Sequence, residues 1–175
     1  MSAYIFDTSP LSHFAKAEEL EVLGELTGAR DRFVTQAVLD ELARGVQQYE
    51  RLGAVHQLEW LVGVRGDHLE ELAAFAEYAR VLGSGSRDVG EASTLAWAEV
   101  NNAVAIVDER AGTLHGRRRG VEVHGTLWLI AEGHRTGLLV DARAEMLVDA
   151  LSDAEAWFPC GGSDFLDWAR TEGLL

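Results

Sequence analysis

Two patterns of hydrophobic and polar positions alternate along the chain. Short unbroken apolar runs are typical of strands buried on both faces, whereas apolar residues at every third or fourth position predict amphipathic helices. The alternation predicts a three-layer α/β/α fold around a central, mainly parallel sheet of four to five strands. Residues 60–64 fit either a short strand or the end of a helix. The predicted strands are residues 3–6, 33–34, 103–107 and 121–123, and the predicted helices are 10–15, 18–26, 36–49, 68–82, 89–98, 109–119, 125–133 and 141–151.

Hydroxyl and carboxylate residues precede most of the predicted helices. Such side chains accept hydrogen bonds from the free N–H groups of a first helical turn, so we expect Ser9, Thr35, Asp88 and Asp141 to be N-caps. The Gly-Ser-Gly-Ser segment at residues 83–86 predicts a flexible loop at the rim of a site. The aromatic residues after position 156 predict an ordered tail.

The length of 175 residues suits a single domain, residues 1–175, with its own hydrophobic core. The sequence has no apolar run long enough to cross a membrane and no signal segment at its start, so we expect a cytoplasmic protein without a membrane partner. Its one cysteine, Cys160, has no intramolecular partner for a disulfide and is expected to be a small buried residue.

The formal net charge of −14 opposes nonspecific nucleic-acid binding, which relies on lysine and arginine. Basic residues are nevertheless concentrated at Arg117, Arg118 and Arg119, directly after His115 and at the end of a predicted helix. Three interpretations fit this run. It is a solvated helix end, it binds a phosphate that flanks the reaction site, or it binds the acidic segment of a partner protein.

Four acidic residues occupy positions where a carboxylate needs a partner. Asp7 and Asp108 each follow an apolar run, whereas Glu41 and Glu91 lie on core-facing sides of helices near their starts. An acid after a strand also fits simple capping of the next helix, but four carboxylates that converge repel one another unless a cation binds. Oxygen ligands favour Mg²⁺ or Mn²⁺. Asp40, the neighbour of Glu41, is expected to point to solvent.

The sequence resembles the PIN-domain family, an RNase H-like nuclease fold whose prokaryotic members include VapBC-type toxins. Four motifs carry the resemblance in order, and each contains one of the four acids; Ile106 and Glu91 depart from the usual family residues. A later Gly-Thr-Leu and Gly-Leu-Leu pattern resembles one prokaryotic branch. The motifs are Ile5-Phe6-Asp7-Thr8-Ser9, Val38-Leu39-Asp40-Glu41-Leu42, Asp88-Val89-Gly90-Glu91-Ala92 and Ala105-Ile106-Val107-Asp108.

The resemblance implies a metal-dependent ribonuclease that hydrolyses phosphodiester bonds of RNA. Asp7, Glu41, Glu91 and Asp108 would be its catalytic and metal-binding residues, with Mg²⁺ or Mn²⁺ as cofactor and Thr8 or Ser9 as candidates for placing a water molecule. It also suggests a cognate antitoxin as partner and a homodimer as assembly. One alternative is a catalytically inactive PIN-fold scaffold that binds RNA or protein. A haloacid dehalogenase-type phosphatase fits less well, because Ser9 stands where that family requires a second Asp.

Overall fold

The computed structural model describes residues 2–83 and 85–175. Of residues 86 and 87 it describes only the backbone. Five parallel strands form the sheet: β1 Tyr4–Phe6, β2 Arg32–Thr35, β3 Val62–Val64, β4 Val104–Ile106 and β5 Val123–His124. Their order is β3-β2-β1-β4-β5, which places β1 at the centre and confirms the predicted parallel sheet. Residues 60–64 therefore contain a strand.

Helices follow the strands in the alternation that the sequence predicts. A 3-10 helix at Glu50–Gln57 supplements them between α3 and β3. The α-helices are α1 Thr8–Lys16, α2 Leu20–Thr27, α3 Gln36–Gly45, α4 Leu69–Leu82, α5 Ser86–Asn101, α6 Arg110–Arg118, α7 Thr126–Arg135, α8 Asp141–Asp153 and α9 Gly162–Thr171.

Two hydrophobic cores lie on opposite faces of the sheet because successive side chains of a strand point to opposite faces. In β1, Tyr4 and Phe6 belong to the core formed with α1, α2, α3, α7, α8 and α9. Ile5 belongs to the other core, which α4 and α5 cover. The result is the three-layer α/β/α architecture expected from the sequence.

Several predicted helix boundaries are wrong by a few residues. Asp7 rather than Ser9 is the N-cap of α1, and Val140 precedes α8, so that Asp141 is the first residue of that helix. Asp88 lies in the first turn of α5, where its carboxylate accepts a hydrogen bond from the Gly85 N–H at 3.0 Å. A carboxylate is favourable both at an N-cap and within the first turn, so the residue type alone does not locate the cap.

Some of the other local predictions are confirmed, and others are wrong. Thr35 caps α3, since its hydroxyl accepts a hydrogen bond from the Val38 N–H at 3.4 Å. That helix ends at Gly45, earlier than expected, and β5 begins two residues late. Cys160 is half-buried against the core rather than buried. The aromatic tail is ordered through α9; of the predicted rim loop at residues 83–86, residue 84 lies outside the described residues.

Candidate active site

Asp7 is held at the carboxyl end of the central strand. Its backbone N–H donates to the Ile106 carbonyl of β4 at 3.0 Å, and its side chain is buried. Although Asp7 occupies the N-cap position of α1, its carboxylate makes no capping hydrogen bond. The Oδ1 atom has no hydrogen-bond partner, and burying a polar atom without a partner costs folding free energy. Helix capping therefore does not account for this side chain.

Glu91 has the same unusual surroundings on α5. Its carboxylate is buried, and Oε1 has no hydrogen-bond partner. A Cβ atom at Gly112 of α6 would lie 1.8 Å from this oxygen, so only glycine leaves room for the carboxylate there. The close approach of α5 and α6 thus places a second buried carboxylate near the sheet edge.

Glu41 is half-buried on α3, and its Oε2 atom accepts a hydrogen bond from the Thr8 hydroxyl at 2.9 Å. Glycine at position 90 permits this arrangement, because a Cβ there would lie 2.9 Å from the same carboxylate oxygen. The adjacent Asp40 is exposed and accepts a hydrogen bond from Gln36 at 2.8 Å. The prediction that Asp40 points to solvent is confirmed.

Three of the four predicted acids line one cavity of about 490 Å³. Asp7, Glu41 and Glu91 share it with three further acids. Sequence reasoning missed Glu109 and Glu155 and left Asp88 open. Glu109 could have been predicted as a site residue, because it directly follows Asp108. Lys16 also lines this cavity, where its ammonium group lies 2.7 Å from Glu155 and 3.8 Å from the centre of the Tyr49 ring.

Asp108 lies at the border of the cavity rather than among its lining residues. Its two carboxylate oxygens accept hydrogen bonds from the N–H and hydroxyl of Thr126, both at 2.7 Å, so the side chain binds the start of α7. Its Oδ2 atom is 3.9 Å from Nδ1 of His13, which does line the cavity. The structure therefore joins three predicted acids and places the fourth beside them.

The electrostatics of the cavity disfavour ionised carboxylates. Burial raises the pKa of Asp7 to about 8, and the charges of Glu91, Glu41 and Asp108 act in the same direction. Burial likewise raises the pKa of Glu91 to about 7, with contributions from Glu109 and Asp88. The pKa of Asp108 is also raised by burial. A divalent cation would relieve this repulsion and displace the protons.

The donor set fits Mg²⁺ or Mn²⁺. Asp7 Oδ1 and Glu91 Oε1 are buried oxygens without hydrogen-bond partners that line the same cavity, and hard divalent ions bind such oxygens. Glu41 adds a third carboxylate whose position Thr8 fixes. These residues could hold the ion that the four-acid pattern predicts.

A second group of metal-binding residue types lies at the start of α4. Ligand atoms of Asp67, His68 and Glu71 lie within 4.8 Å of one another, whereas no three of the four acids approach so closely in the described part of the chain. Glu71, however, already accepts hydrogen bonds from the His68 N–H at 3.1 Å and from Asn101 at 2.9 Å. Helix capping therefore explains its buried carboxylate, whereas Asp7 and Glu91 each keep one buried oxygen without a hydrogen-bond partner.

The three consecutive arginines have different surroundings. Arg119 forms two hydrogen bonds with Glu99, both 2.7 Å long, and is thereby committed to an ion pair on α5. Arg117 donates to the Val123 carbonyl at 2.8 Å, and Arg118 is exposed. The run is thus not a uniform phosphate-binding cluster.

Comparison with known proteins shows which family the chain belongs to. A family model described as a PIN domain matches residues 3–161, which is most of the chain. The chain belongs to the PIN-domain family. No curated protein and no solved structure matches it in the same comparisons.

The PIN fold is a nuclease-type fold whose members typically bind a divalent metal, in agreement with the buried carboxylates. The match spans the elements that carry Asp7, Glu41, Glu91 and Asp108, whereas α9 lies beyond it. Across the described part of this PIN-domain chain, no helix is both long enough and apolar enough to span a membrane.

Proposed function

We propose that this PIN domain is an Mg²⁺- or Mn²⁺-dependent ribonuclease that hydrolyses phosphodiester bonds of RNA. The observation that carries the proposal is the pair of buried oxygens without hydrogen-bond partners, Asp7 Oδ1 and Glu91 Oε1, in one cavity. Such groups destabilise a fold unless a ligand uses them, and carboxyls with strongly raised pKa values are concentrated at functional sites.

In this proposal Asp7, Glu41 and Glu91 hold the metal, and Asp108 contributes negative charge from the border of the cavity. A bound divalent ion would activate water and neutralise the charge that develops on the phosphate. Thr8 fixes the Glu41 carboxylate through its hydroxyl, and Thr126 fixes Asp108 through two hydrogen bonds. The protein thereby supplies rigid ligands on the ends of its central strands and the helices beside them.

A catalytically inactive scaffold is the second candidate, because the net charge of −14 opposes RNA binding. The cavity itself is strongly acidic, so RNA would approach it only after a cation has reduced the local charge. An inactive scaffold gives no reason for two buried carboxylates whose mutual repulsion raises the free energy of the folded state. Measurement of cleavage decides between the two candidates.

Replacing Glu41 with Gln is expected to reduce RNA cleavage by at least about 100-fold, because it removes one of the charges that hold the metal. The matched control is Asp40→Asn, which removes the same charge from the neighbouring exposed residue. Purified proteins would be assayed on a fluorescent single-stranded RNA with Mn²⁺ and with chelator. Equal activity of the two variants, or parental cleavage in chelator, would exclude the metal-dependent ribonuclease.

The proposal includes the partner and assembly that the resemblance implies. A cognate antitoxin would make the nuclease one half of a toxin–antitoxin pair, and the assembly would be a homodimer. Co-expression with the adjacent reading frame tests the first proposal. Sedimentation of the purified protein tests the second.

A further inference from the structure

Gly112 of α6 lies against the carboxylate of Glu91, one of the metal ligands of the proposed centre. Both residues are buried, and α5 and α6 are in contact. A methyl group at position 112 would overlap Glu91 Oε1 and would lie 2.5 Å from Cδ and 3.0 Å from Cγ of the same side chain. The space that this carboxylate occupies therefore exists because residue 112 has no side chain.

The backbone of α6 does not itself require glycine at position 112. Gly112 lies within the helix and is not among the glycines with positive φ, so its backbone conformation is one that any residue adopts. Glycine is one of the least favourable residues in a helix, and alanine would favour α6 taken alone. The side chain of Glu91 therefore gives the physical reason for a glycine at this position.

The start of α6 also offers the Glu91 carboxylate a favourable electrostatic environment. Gly112 is the third residue of the helix, and the Thr113 N–H is the first that donates to a carbonyl of the helix start, so the Gly112 N–H lacks an intrahelical acceptor. The Glu109 side chain at the N-cap makes no capping hydrogen bond. Burial raises the pKa of Glu91, and the Gly112 backbone N–H opposes this rise. Gly112 thus brings the positive end of a helix to the carboxylate.

A second glycine on the same face of α6 has different neighbours. Gly116 lies about one turn further along the helix. A methyl group there would lie 2.7 Å from Val123 Cγ2 and 2.9 Å from Leu95 Cδ2, which are buried apolar side chains. The two glycines therefore separate an effect on the acidic cavity from an effect on core packing.

We propose that Gly112 is a positioning residue of the metal centre and that Glu91 and Gly112 form a matched pair. The inference rests on the proposed function, because it takes Glu91 to be a metal ligand. The absent side chain at position 112 lets a side chain of glutamate length lie between the two helices with its carboxylate on the acidic cavity. A methyl group at 112 moves this carboxylate but leaves the chain folded, since it meets the end of a flexible side chain.

Mn²⁺ affinity tests the matched pair. Gly112→Ala is expected to weaken Mn²⁺ binding by about 10- to 100-fold, the usual loss when a residue that orients a metal ligand is changed. In a Glu91→Asp background the same change should cost less than about threefold, because the two atoms closest to the new methyl group are then absent. Aspartate keeps a carboxylate at position 91, so calorimetric titration can measure both backgrounds.

Gly116→Ala is the matched control, because it adds the same methyl group to the same face of α6. It should lower the denaturation midpoint through its contacts with Val123 and Leu95. Its Mn²⁺ affinity should stay within about twofold of the parental value, since no carboxylate lies beside it. Equal losses of affinity in Gly112→Ala and Gly116→Ala would assign both effects to helix packing and overturn the positioning role.

A measurement without metal keeps this inference separate from the proposed function. In chelator, Gly112→Ala should raise the denaturation midpoint more in a Glu91→Ala background than in the parent. The reason is that the methyl group displaces no carboxylate in that background and favours the helix. Equal shifts in the two backgrounds would overturn the matched pair.

The remaining outcomes distinguish the two failures. Parental Mn²⁺ affinity of Gly112→Ala, or equal losses in the parental and Glu91→Asp backgrounds, would overturn the positioning role while leaving the metal centre in place. A parent protein that binds no Mn²⁺ would overturn the proposed function instead. Coupling between positions 91 and 112 in chelator would then still assign the placement of the carboxylate to Gly112.

Discussion

Asp7→Asn is expected to abolish RNA cleavage, with a loss of at least about 1,000-fold, which corresponds to about 4 kcal/mol of transition-state stabilisation. The same variant should be more stable than the parent in chelator at pH 8, by on the order of 3 kcal/mol. The physical reason is the raised pKa, since burial and three neighbouring carboxylates make an ionised Asp7 costly in the absence of a cation. Cleavage assays and chemical denaturation measure the two effects.

Asp40→Asn is the control for this variant, because Asp40 is exposed and carries the same charge. It should retain parental cleavage and nearly parental stability. Loss of stability of Asp7→Asn in chelator would show that the carboxylate has a structural role and would contradict its assignment as a metal ligand.

Metal affinity is expected to rise steeply with pH. With a pKa of about 8, Asp7 is mostly protonated at pH 6, so competition by this proton alone should weaken Mn²⁺ binding roughly 50-fold between pH 8 and pH 6. Glu91, with a pKa of about 7, adds to the effect. Calorimetric titration at both pH values, in buffers of different ionisation enthalpy, would measure the affinity and the protons released.

The stability of the metal-free protein should show the opposite dependence. Between pH 4 and pH 8 the folded state keeps a proton on Asp7 that the unfolded state releases, so the free energy of unfolding falls as the pH rises. Mn²⁺ should restore stability at pH 8 and have little effect at pH 6. In Asp7→Asn this part of the pH dependence should be absent, and an unchanged profile would contradict the assigned pKa.

The fold and the centre of the site are predictable from the sequence because they depend on local patterns. Residues 3–6 and 103–107 are apolar runs that end at an acid, and adjacent parallel strands bring such ends together. Glu91 lies on an apolar helical face, which predicts its burial. Each of these inferences needs only the periodicity of one segment and the rule for parallel sheets.

Contacts between distant segments are not predictable in this way. The hydrogen bond between Asp108 and Thr126 depends on where the start of α7 lies relative to the end of β4. Arg119 likewise pairs with Glu99, which belongs to a different helix. A cleft lined by Trp157 of the tail, His124 of β5 and Trp128 of α7 forms only when the tail folds back beside these two elements. A sequence pattern identifies the residue types in these cases but not their partners.

The most direct test of the central claim is an anomalous difference map from a crystal of the protein soaked in Mn²⁺. The account predicts a peak in the acidic cavity, about 2.1 Å from carboxylate oxygens of Asp7 and Glu91. This peak should be absent in Asp7→Asn. A cavity without manganese, or a peak found only at Asp67, His68 and Glu71, would contradict the assignment of the buried carboxylates as the metal centre.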